Sequence, residues 1–150
     1  MQWITRELLN QVSREATASP RQRKNYNFHQ SDNELCHRLL NAIEPGSYVP
    51  PHKHSEPEKS ETMICVQGRL GVLLFDEEGR VTHQSVIAPL SETIGLHIPA
   101  GTYHSLVALT PGSIFFEAKG GPYVPAPPHE FAPWVGEPDV FYQKMLSYFG

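Results

Sequence analysis

Short apolar runs separated by glycine and proline turns dominate this chain from residue 24 onward. Nine such runs are present, namely NYNFH, HRLLNAI, SYVPPH, ETMICVQ, RLGVLLF, RVTHQSVI, GLHIP, YHSLVAL and SIFFEAK. Their length and spacing are typical of a β-sandwich or β-barrel and differ from the alternation of strands and helices in a βαβ fold. Turn-forming residues join neighbouring runs at Gln67-Gly68, Asp76–Gly79, Pro99–Gly101 and Pro111-Gly112. The pattern therefore predicts a series of antiparallel hairpins.

The two ends of the chain have helical periodicity instead. Near the N-terminus, a predicted N-cap at Thr5 precedes one apolar helical face formed by Leu8, Leu9, Val12 and Ala16. Near the C-terminus, Pro138 suits a first helical turn and precedes an apolar face formed by Val140, Phe141, Met145 and Phe149. We therefore predict one all-β domain with an N-terminal helix within residues 1–20, a barrel core over 24–120, a proline-rich segment over 121–137 packed on the barrel, and a C-terminal helix within 138–150.

Composition narrows the class of protein. A length of 150 residues makes a single domain with a real core the expectation. The formal net charge of -4 argues against a nucleic-acid partner, because phosphate binding depends on clustered lysine and arginine. Only two cysteines are present, which favours a reducing compartment, and no apolar run is long enough to span a membrane. We therefore expect a cytoplasmic protein that uses neither membrane nor nucleic acid.

Histidines and a glutamate converge on one region of the predicted barrel. Alternate side chains of an extended strand point the same way, so the rings of His52 and His54 can share one ion. Glu61 opens the run ETMICVQ, and His104 follows the Pro99–Gly101 turn. Three neutral imidazoles and a carboxylate suit a divalent first-row metal and leave positions for water or substrate. The sequence therefore predicts one bound ion, and zinc, iron, manganese and nickel all fit this ligand set.

The spacing of these residues resembles the two motifs of the cupin superfamily. The first motif is matched in order by Gly46, His52, His54, Glu61 and Gly68, and the second by Pro99, Gly101 and His104. The spacer between His54 and Glu61 is longer than in the family, and Glu58 would satisfy the shorter spacing. We favour Glu61 because it begins a strand that ends at Gly68. The resemblance implies a jelly-roll barrel, also called a double-stranded β-helix.

Longer stretches are similar to the WbuC family of cupin-fold metalloproteins, small bacterial proteins sometimes encoded in surface-polysaccharide clusters. The similarity rests on RQRKNYNFH, RLLNAIEPGSYVPPHKH, GRLGVLLFDEEGRV, IPAGTYHSL and GPYVPAPPHEFAPW, and covers roughly residues 1–136. It implies a metal-binding protein without implying a reaction. Cupins are often dimeric, so we predict that the C-terminal helix, which lies beyond the similar region, docks at a homodimer interface and covers its apolar face there.

Two side chains are candidates for proton transfer in the cavity. Tyr48 has the strand parity of His52 and His54, which predicts that its hydroxyl points into the same cavity. His97 precedes the Pro99–Gly101 turn and is a candidate acid or base, with a structural histidine as the alternative. We therefore treat Tyr48 and His97 as the candidate catalytic residues.

Three further residues have alternative interpretations. His29 and His37 either face the barrel interior, or they lie at the surface or are held by hydrogen bonds. Cys65 shares the strand face of Glu61, and we interpret it as a small buried hydrophobe rather than a ligand. None of the three is needed to complete the predicted metal site.

Two classes of function fit these features. One is a small metal-dependent enzyme that acts on a sugar or another small polar metabolite and is linked to surface-polysaccharide synthesis, with Tyr48 or His97 moving a proton. The other is a non-catalytic cupin that binds a small ligand or serves as a structural partner while retaining the metal site. The sequence leaves open whether the protein is an enzyme.

Overall fold

The computed structural model describes residues 1–56 and 59–150 as a β-sandwich flanked by two helices. The helices and strands are α1 (Arg6–Ala18), β1 (Arg23–Asn27), β2 (Cys36–Ile43), β3 (Glu61–Gln67), β4 (Leu70–Phe75), β5 (Val81–Ile87), β6 (Gly95–Ile98), β7 (Tyr103–Ala108), β8 (Ser113–Gly120) and α2 (Pro138–Leu146). A single 3-10 turn at Pro128–Glu130 lies within the proline-rich segment. Neither α1 nor α2 is long and apolar enough to cross a membrane.

Two antiparallel sheets enclose the main core. One sheet has five strands in the order β1-β2-β8-β3-β6, and the other has three strands in the order β5-β4-β7. Buried side chains from both sheets meet between them, including Ile43, Met63, Cys65 and Phe115 from the first and Leu70, Val72, Ile87 and Leu106 from the second. The architecture confirms the predicted all-β class, and Cys65 is the buried core residue that we expected.

Two of the predicted turns show why their residues are required. Gly68 joins β3 to β4 at a φ of 73°, and a Cβ there would lie 2.7 Å from the backbone of Ser113. Only glycine avoids both the strained φ and this collision. At the β4–β5 hairpin, the Asp76 carboxylate accepts hydrogen bonds from the N–H groups of Glu78 and Arg80 at 3.0 and 2.9 Å. These contacts confirm both turns.

Helix α1 covers the outer face of the five-stranded sheet. Its buried face packs on strand residues, in a cluster of Leu9, Val12 and Ala16 with Leu40, Ala42 and Ile114. The helix begins as predicted, because the Thr5 hydroxyl accepts a hydrogen bond from the N–H of Leu8 at 3.2 Å. The inner face of this sheet is thereby left for the cavity described below.

Helix α2 covers the outer face of the three-stranded sheet of its own chain. Its buried residues pack beside Trp134 against the strands, in a cluster of Phe141, Tyr142 and Met145 with Leu73, Phe75, Tyr103 and Val107. The outward side chains of β4 and β7 are apolar and bury the apolar face of α2, a role that we had expected a second subunit to fill. The apolar face of α2 therefore does not require an interface, and homodimerisation stays a prediction without that support.

Residues 47–52 do not form the predicted strand. His52 makes only isolated antiparallel bridges, to His104 and to Phe131. Pro50 and Pro51 lack N–H donors, so this segment cannot join a continuous hydrogen-bonded ladder. The segment crosses the end of the sandwich as a loop, and this loop brings His52 and His54 to β7.

Candidate metal centre

The three histidines predicted as ligands meet at one end of the sandwich. His52 and His54 come from the loop before β3, whereas His104 lies on β7. One ring nitrogen of each lies within 4.8 Å of the others. Reciprocal backbone hydrogen bonds hold loop and strand together, with His52 N–H donating to His104 O at 3.1 Å and His104 N–H donating to His52 O at 2.9 Å. Residues far apart in sequence are thus joined directly at the cluster.

Backbone carbonyls orient two of the three rings. Nδ1 of His52 lies 2.9 Å from Pro50 O, and Nδ1 of His104 lies 2.9 Å from Thr102 O. In the neutral tautomer with a proton on Nδ1, the Nε2 lone pair is then left for the centre of the cluster. Burial, together with the neighbouring His104, lowers the pKa of His52 to about 3. His52 is therefore neutral at pH 7, which is the form that binds a metal.

The carboxylate of Glu61, the first residue of β3, lies beside this cluster. Its Oε1 is 2.9 Å from His104 Nε2, and its Oε2 is 3.4 Å from His54 Nε2. Burial opposes ionisation of this carboxyl, but His104 and His54 outweigh that effect and hold the pKa of Glu61 well below its usual range. The alternative ligand, Glu58, lies outside the described residues. Glu61 therefore has the position and the ionisation state of a ligand.

The nitrogens that face Glu61 make the site suitable for a cation. Within the described part of the chain, Nε2 of His54 and Nε2 of His104 are buried and lack a well-oriented hydrogen-bond partner. When the imidazoles are neutral with Nε2 unprotonated, these nitrogens and the carboxylate are all acceptors, and acceptors in contact need a cation between them. A divalent first-row ion accepts imidazole nitrogen and carboxylate oxygen alike. The three-histidine cluster therefore fits a metal-binding site.

A second glutamate, which the sequence did not indicate, holds the loop of His54. Glu130 is buried in the 3-10 turn of the proline-rich segment. Its Oε1 accepts a hydrogen bond from Ser55 N–H at 2.7 Å, its carbonyl accepts one from Lys53 N–H at 2.9 Å, and its Oε2 lies 3.8 Å from His54 Nδ1. The proline-rich segment thus supports the loop that carries two of the histidines.

The histidine cluster lies on the wall of a cavity in two parts. The inner pocket, of about 150 Å³, is lined by His52, Glu61 and His104 together with the polar residues Arg23, Asn25, Asn41, Glu117 and Lys119. A wider vestibule of about 500 Å³ shares Arg23, His52 and Lys119 with the inner pocket and is closed on one side by residues of the proline-rich segment. The metal site is therefore accessible from a polar cavity that could admit a small molecule.

The polar inner wall was not predicted from the sequence. Glu117 is buried on β8, where it lies 2.7 Å from Lys119 Nζ and accepts a hydrogen bond from Asn41 Nδ2 at 2.6 Å. Burial raises the pKa of its carboxyl. An indication was present in the run SIFFEAK, because residues 115, 117 and 119 share one strand face and Phe115 belongs to the core. Charged residues at 117 and 119, on the strand face that Phe115 turns toward the core, indicate a polar interior.

Tyr48 points away from this cavity. Its side chain packs in the aromatic cluster between the three-stranded sheet and α2, and Val49 lines the inner pocket instead. The parity argument fails because Pro50 and Pro51 interrupt the extended backbone between Tyr48 and His52. The predicted orientation of Tyr48 into the cavity is therefore wrong.

His97 also lies outside the cavity. In the β3–β6 register, Glu61 pairs with Ile98 and Thr62 pairs with His97. Paired residues share a face of the sheet, and since Glu61 and Ile98 are buried inside, Thr62 and His97 face outward. His97 is exposed there, with Nδ1 2.9 Å from the Thr62 hydroxyl. The predicted position of His97 as an acid or base at the metal site is therefore wrong.

His29 and His37 form a stacked pair. Their ring centroids are 4.0 Å apart with an interplanar angle of 12°, and both residues are buried. His29 Nδ1 lies 3.2 Å from Arg38 O, and His37 Nε2 lies 3.2 Å from Asp32 O. His37 also lines the vestibule. The hydrogen-bonded interpretation holds for both histidines.

Several solved structures share this fold. KdgF from Halomonas sp. aligns with a TM-score of 0.53 at 20% identity over 69% of this chain and 81% of its own. Oxalate decarboxylase from Bacillus subtilis aligns with a TM-score of 0.53 at 20% identity over 69% of this chain, which spans only 26% of that protein. The conserved protein SPY1581 of unknown function from Streptococcus pyogenes aligns with a TM-score of 0.51 at 14% identity over 73% and 86% of the two chains. The likeness shows the fold, which is a single-domain cupin β-barrel.

Sequence comparison gives the family. No curated protein matches this chain. The family described as a domain of unknown function, DUF6016, matches residues 4–87, which are more than half of the chain. The matched region runs from α1 to β5 and includes His52, His54 and Glu61, while His104 lies beyond it. This chain therefore belongs to the DUF6016 family and has the cupin fold.

Proposed function

We propose that this protein is a metal-binding cupin that holds one divalent ion through His52, His54, Glu61 and His104. The observation that supports this most directly is the contact of the Glu61 carboxylate with Nε2 of His54 and Nε2 of His104 in a buried position. Neutral imidazoles and a carboxylate in this arrangement leave several lone pairs facing one another, and a divalent cation resolves that conflict for all of them.

The residues around the site have separate tasks in this proposal. A bound ion would act as a Lewis acid on a carbonyl or hydroxyl group, or make a bound water more acidic. The carbonyls of Pro50 and Thr102 orient two imidazole rings. Val49, Met63 and Leu106 make part of the wall of the inner pocket apolar. Glu117 lines the same pocket as a carboxylate paired with Lys119, and since burial raises its pKa, it is the group placed to accept a proton there.

We propose a small polar metabolite, such as a sugar, as the ligand. The amides of Asn25 and Asn41 and the charged side chains of the inner pocket support a polar ligand. Membership of the WbuC family and a role in surface-polysaccharide synthesis rest on the sequence resemblance and remain part of this proposal. Zinc, iron, manganese and nickel all suit the ligand set, so the chain's own residues do not select among them.

A non-catalytic binding protein is the second candidate, and one observation favours it. Tyr48 and His97, the two residues predicted to move protons, both lie outside the cavity. Among the described residues that line the inner pocket, Glu117 is then the one carboxyl group that is not part of the metal cluster and could transfer a proton. A cupin that binds a small ligand without turnover needs the metal and the polar wall but no acid or base.

Metal analysis of purified variants tests the proposal. We expect about one ion per chain in the wild type by elemental mass spectrometry, and less than about a tenth of that in His54→Ala and in His104→Ala. The matched control is His97→Ala, which removes an exposed histidine and should leave the metal content unchanged. Glu61→Gln should weaken binding and Glu58→Gln should not. Unchanged metal content in both histidine variants would contradict the proposal.

A screen for activity separates the two candidates. The wild type is loaded in turn with zinc, iron, manganese and nickel and assayed against a panel of sugars and other small polar metabolites. Turnover that is lost in His104→Ala and retained in His97→Ala supports the enzyme. Binding of a panel member without turnover, under every metal, supports the non-catalytic cupin.

A further inference from the structure

The cavity beside the histidine cluster contains two basic side chains that the metal site does not use. Arg23 on β1 and Lys119 on β8 line both the inner pocket and the vestibule. The metal site itself contains one acidic residue, Glu61, and the inner wall contains a second, Glu117. The two cations balance these two carboxylates formally, so a divalent ion leaves the cavity with an excess of positive charge. With that ion bound, a protein whose net charge is -4 would have a positively charged interior cavity.

Arg23 is the cation in this cavity that lacks an anionic partner. Within residues 1–56 and 59–150 it forms no ion pair, and its guanidinium donates one hydrogen bond, to the carbonyl of Tyr48. Burial and the neighbouring Arg21 lower the pKa of Arg23, as expected for a cation that no carboxylate compensates. A guanidinium has several N–H donors in one plane, so most of its donors remain for a ligand.

Lys119 differs from Arg23 in being held by a carboxylate. Its ammonium lies 2.7 Å from Glu117 Oε1, and Glu117 is in turn fixed by the amide of Asn41. On the neighbouring strand, Lys119 pairs in register with Glu61, so it stands directly beside the metal cluster. An ammonium has three donors, and this ion pair leaves donors that can face the cavity.

The entrance to the cavity contains formal charges of both signs. Arg21 and Lys59 line the vestibule together with Glu56 and Glu130. Glu56 lies 3.5 Å from Lys59, whereas Glu130 accepts a hydrogen bond from the neutral Ser55 N–H and keeps its charge, so the formal charges of the entrance balance. The positive excess therefore arises further in, where a divalent ion would lie near Arg23 and would draw an anion inward.

We infer that the ligand of this site is a small organic acid whose carboxylate is bound by Arg23, with Lys119 beside it and the rest of the molecule at the metal cluster. This inference rests on the proposed function, because the divalent ion supplies the positive excess. A cationic ligand would be repelled by the ion and by Arg23 together. Val49, Met63 and Leu106 make part of the pocket wall apolar, which suits a ligand with a carbon skeleton between its polar groups better than inorganic phosphate.

The test compares malonate with malonamide, its neutral analogue of nearly the same shape. Metal content is measured first, on wild type loaded with Co(II), and ligand binding is then followed by calorimetry and by the visible spectrum of the cobalt. We expect malonate to bind and to change that spectrum, and malonamide to bind at least tenfold more weakly, because charge-assisted hydrogen bonds are the stronger ones. Inorganic phosphate is the third probe and should bind more weakly than malonate.

Variants assign the effect to Arg23. Arg23→Gln keeps a donor for the Tyr48 carbonyl and should weaken malonate binding about 10- to 100-fold with the metal content unchanged. Arg21→Gln, an exposed vestibule variant with little risk to folding, should weaken it about two- to threefold. The matched control is Arg14→Gln on the exposed side of α1, which should have no effect.

Each outcome bears on one of the two proposals. A wild type that binds no metal overturns the proposed function, and it overturns this inference too unless metal-free protein binds malonate in a manner lost in Arg23→Gln. One ion per chain with equal binding of malonate and malonamide overturns this inference alone. So does unchanged malonate affinity in Arg23→Gln and Arg21→Gln. Tighter binding of phosphate than of malonate overturns the assignment to an organic acid.

Discussion

The two ends of the sandwich interior differ in chemistry although the same strands build both. At one end, the inward side chains of β3, β7 and β8 are those of Glu61, His104 and Glu117. Two residues deeper in the sandwich, which is later in sequence on β3 and β7 but earlier on the antiparallel β8, they are those of Met63, Leu106 and Phe115. A step of two along a strand keeps the face and changes only the depth. All six residues are buried, so the ends differ in chemistry rather than in access to water.

This difference separates stability from chemistry within one small domain. The apolar end removes hydrocarbon from water, which is the main source of folding free energy. The polar end buries charged and hydrogen-bonding groups, which stabilise the fold little and cost free energy wherever a partner is lacking. We therefore expect the apolar end to hold the fold with or without a metal, and the polar end to be adjustable for binding.

The largest expected effect is at the apolar end. Leu70 is fully buried in the main core, and Leu70→Ala should lower the free energy of unfolding by about 2–5 kcal/mol, because it removes packed methyl groups and leaves a cavity. Urea unfolding followed by circular dichroism measures this. Leu90→Ala is the matched control, since Leu90 is fully exposed and its loss should change the value by less than about 0.5 kcal/mol. A loss below about 1 kcal/mol for Leu70→Ala would contradict the role given to this end.

Removal of the metal should have a smaller effect on stability. A chelator removes only the stabilisation that comes from metal binding to the folded state. That stabilisation is about 2.7 kcal/mol at a metal concentration one hundred times the dissociation constant. We expect the β-sheet circular dichroism at 25 °C to persist in chelator, with a lower melting temperature. If the chelated protein unfolds at that temperature, the polar end holds the fold and the comparison fails.

Acid should destabilise the metal-free protein through His52. Burial lowers the pKa of this ring to about 3. Below about pH 6.5 the ring is therefore protonated in the unfolded chain but stays neutral in the folded chain. The neutral His52 ring therefore makes its full contribution to the free energy of unfolding above that pH. The contribution declines as the pH falls toward 3, with a loss of about 2 kcal/mol at pH 5. Urea unfolding at pH 7 and pH 5 should show this loss in wild type and a smaller one in His52→Gln.

Two further observations sharpen the acid experiment. Although burial opposes protonation of His104, Glu61 raises the pKa of that ring, so His104 acts in the opposite direction and the difference between wild type and His52→Gln is the informative quantity. The control is His83→Gln, which removes an exposed histidine on β5 and should leave the pH dependence unaltered. An equal loss of stability in wild type and His52→Gln would show that His52 does not titrate in this way.

The smallest expected effect is at Glu130, which holds the loop of His54. Glu130→Gln retains the acceptor for Ser55 N–H but removes the charge 3.8 Å from His54 Nδ1. Groups that orient a metal-bound histidine alter metal affinity by about 10- to 100-fold, and at this distance we expect about tenfold. Competition with a chromophoric chelator measures it. Glu77→Gln, on an exposed residue paired with Lys53, should leave the affinity unaltered, and equal affinities in the two variants would remove the role of Glu130.

Much of the fold followed from local patterns in the sequence. Strand-length apolar runs and turn residues predicted the hairpins, and capping by Thr5 predicted the start of α1. These features depend on neighbouring residues only, such as the φ of Gly68 or the side chain of Asp76 in its own turn. The motif spacing similarly predicted that His52, His54, Glu61 and His104 would lie together.

Predictions that relied on strand parity failed where the backbone stops being a strand. Two prolines between Tyr48 and His52 broke the alternation that assigned Tyr48 to the cavity. His97 was assigned from its distance along the chain to His104, but the cross-strand register with Thr62 determines that it faces outward. Parity is a reliable guide only within one continuous ladder of hydrogen bonds.

The polar inner wall and the cover of α2 depended on contacts between distant segments. Arg23, Asn41 and Glu117 come from three strands, and only the sheet order β1-β2-β8 makes them neighbours. An apolar face on α2 is compatible with packing on its own barrel or on that of a second subunit. Contacts with the outward residues of β4 and β7 show that it packs on its own barrel. The sequence alone thus determined the turns, the α1 cap and the candidate ligand types through local interactions. The lining of the cavity required the tertiary structure, because strand order and the choice of facing side chains are not local properties.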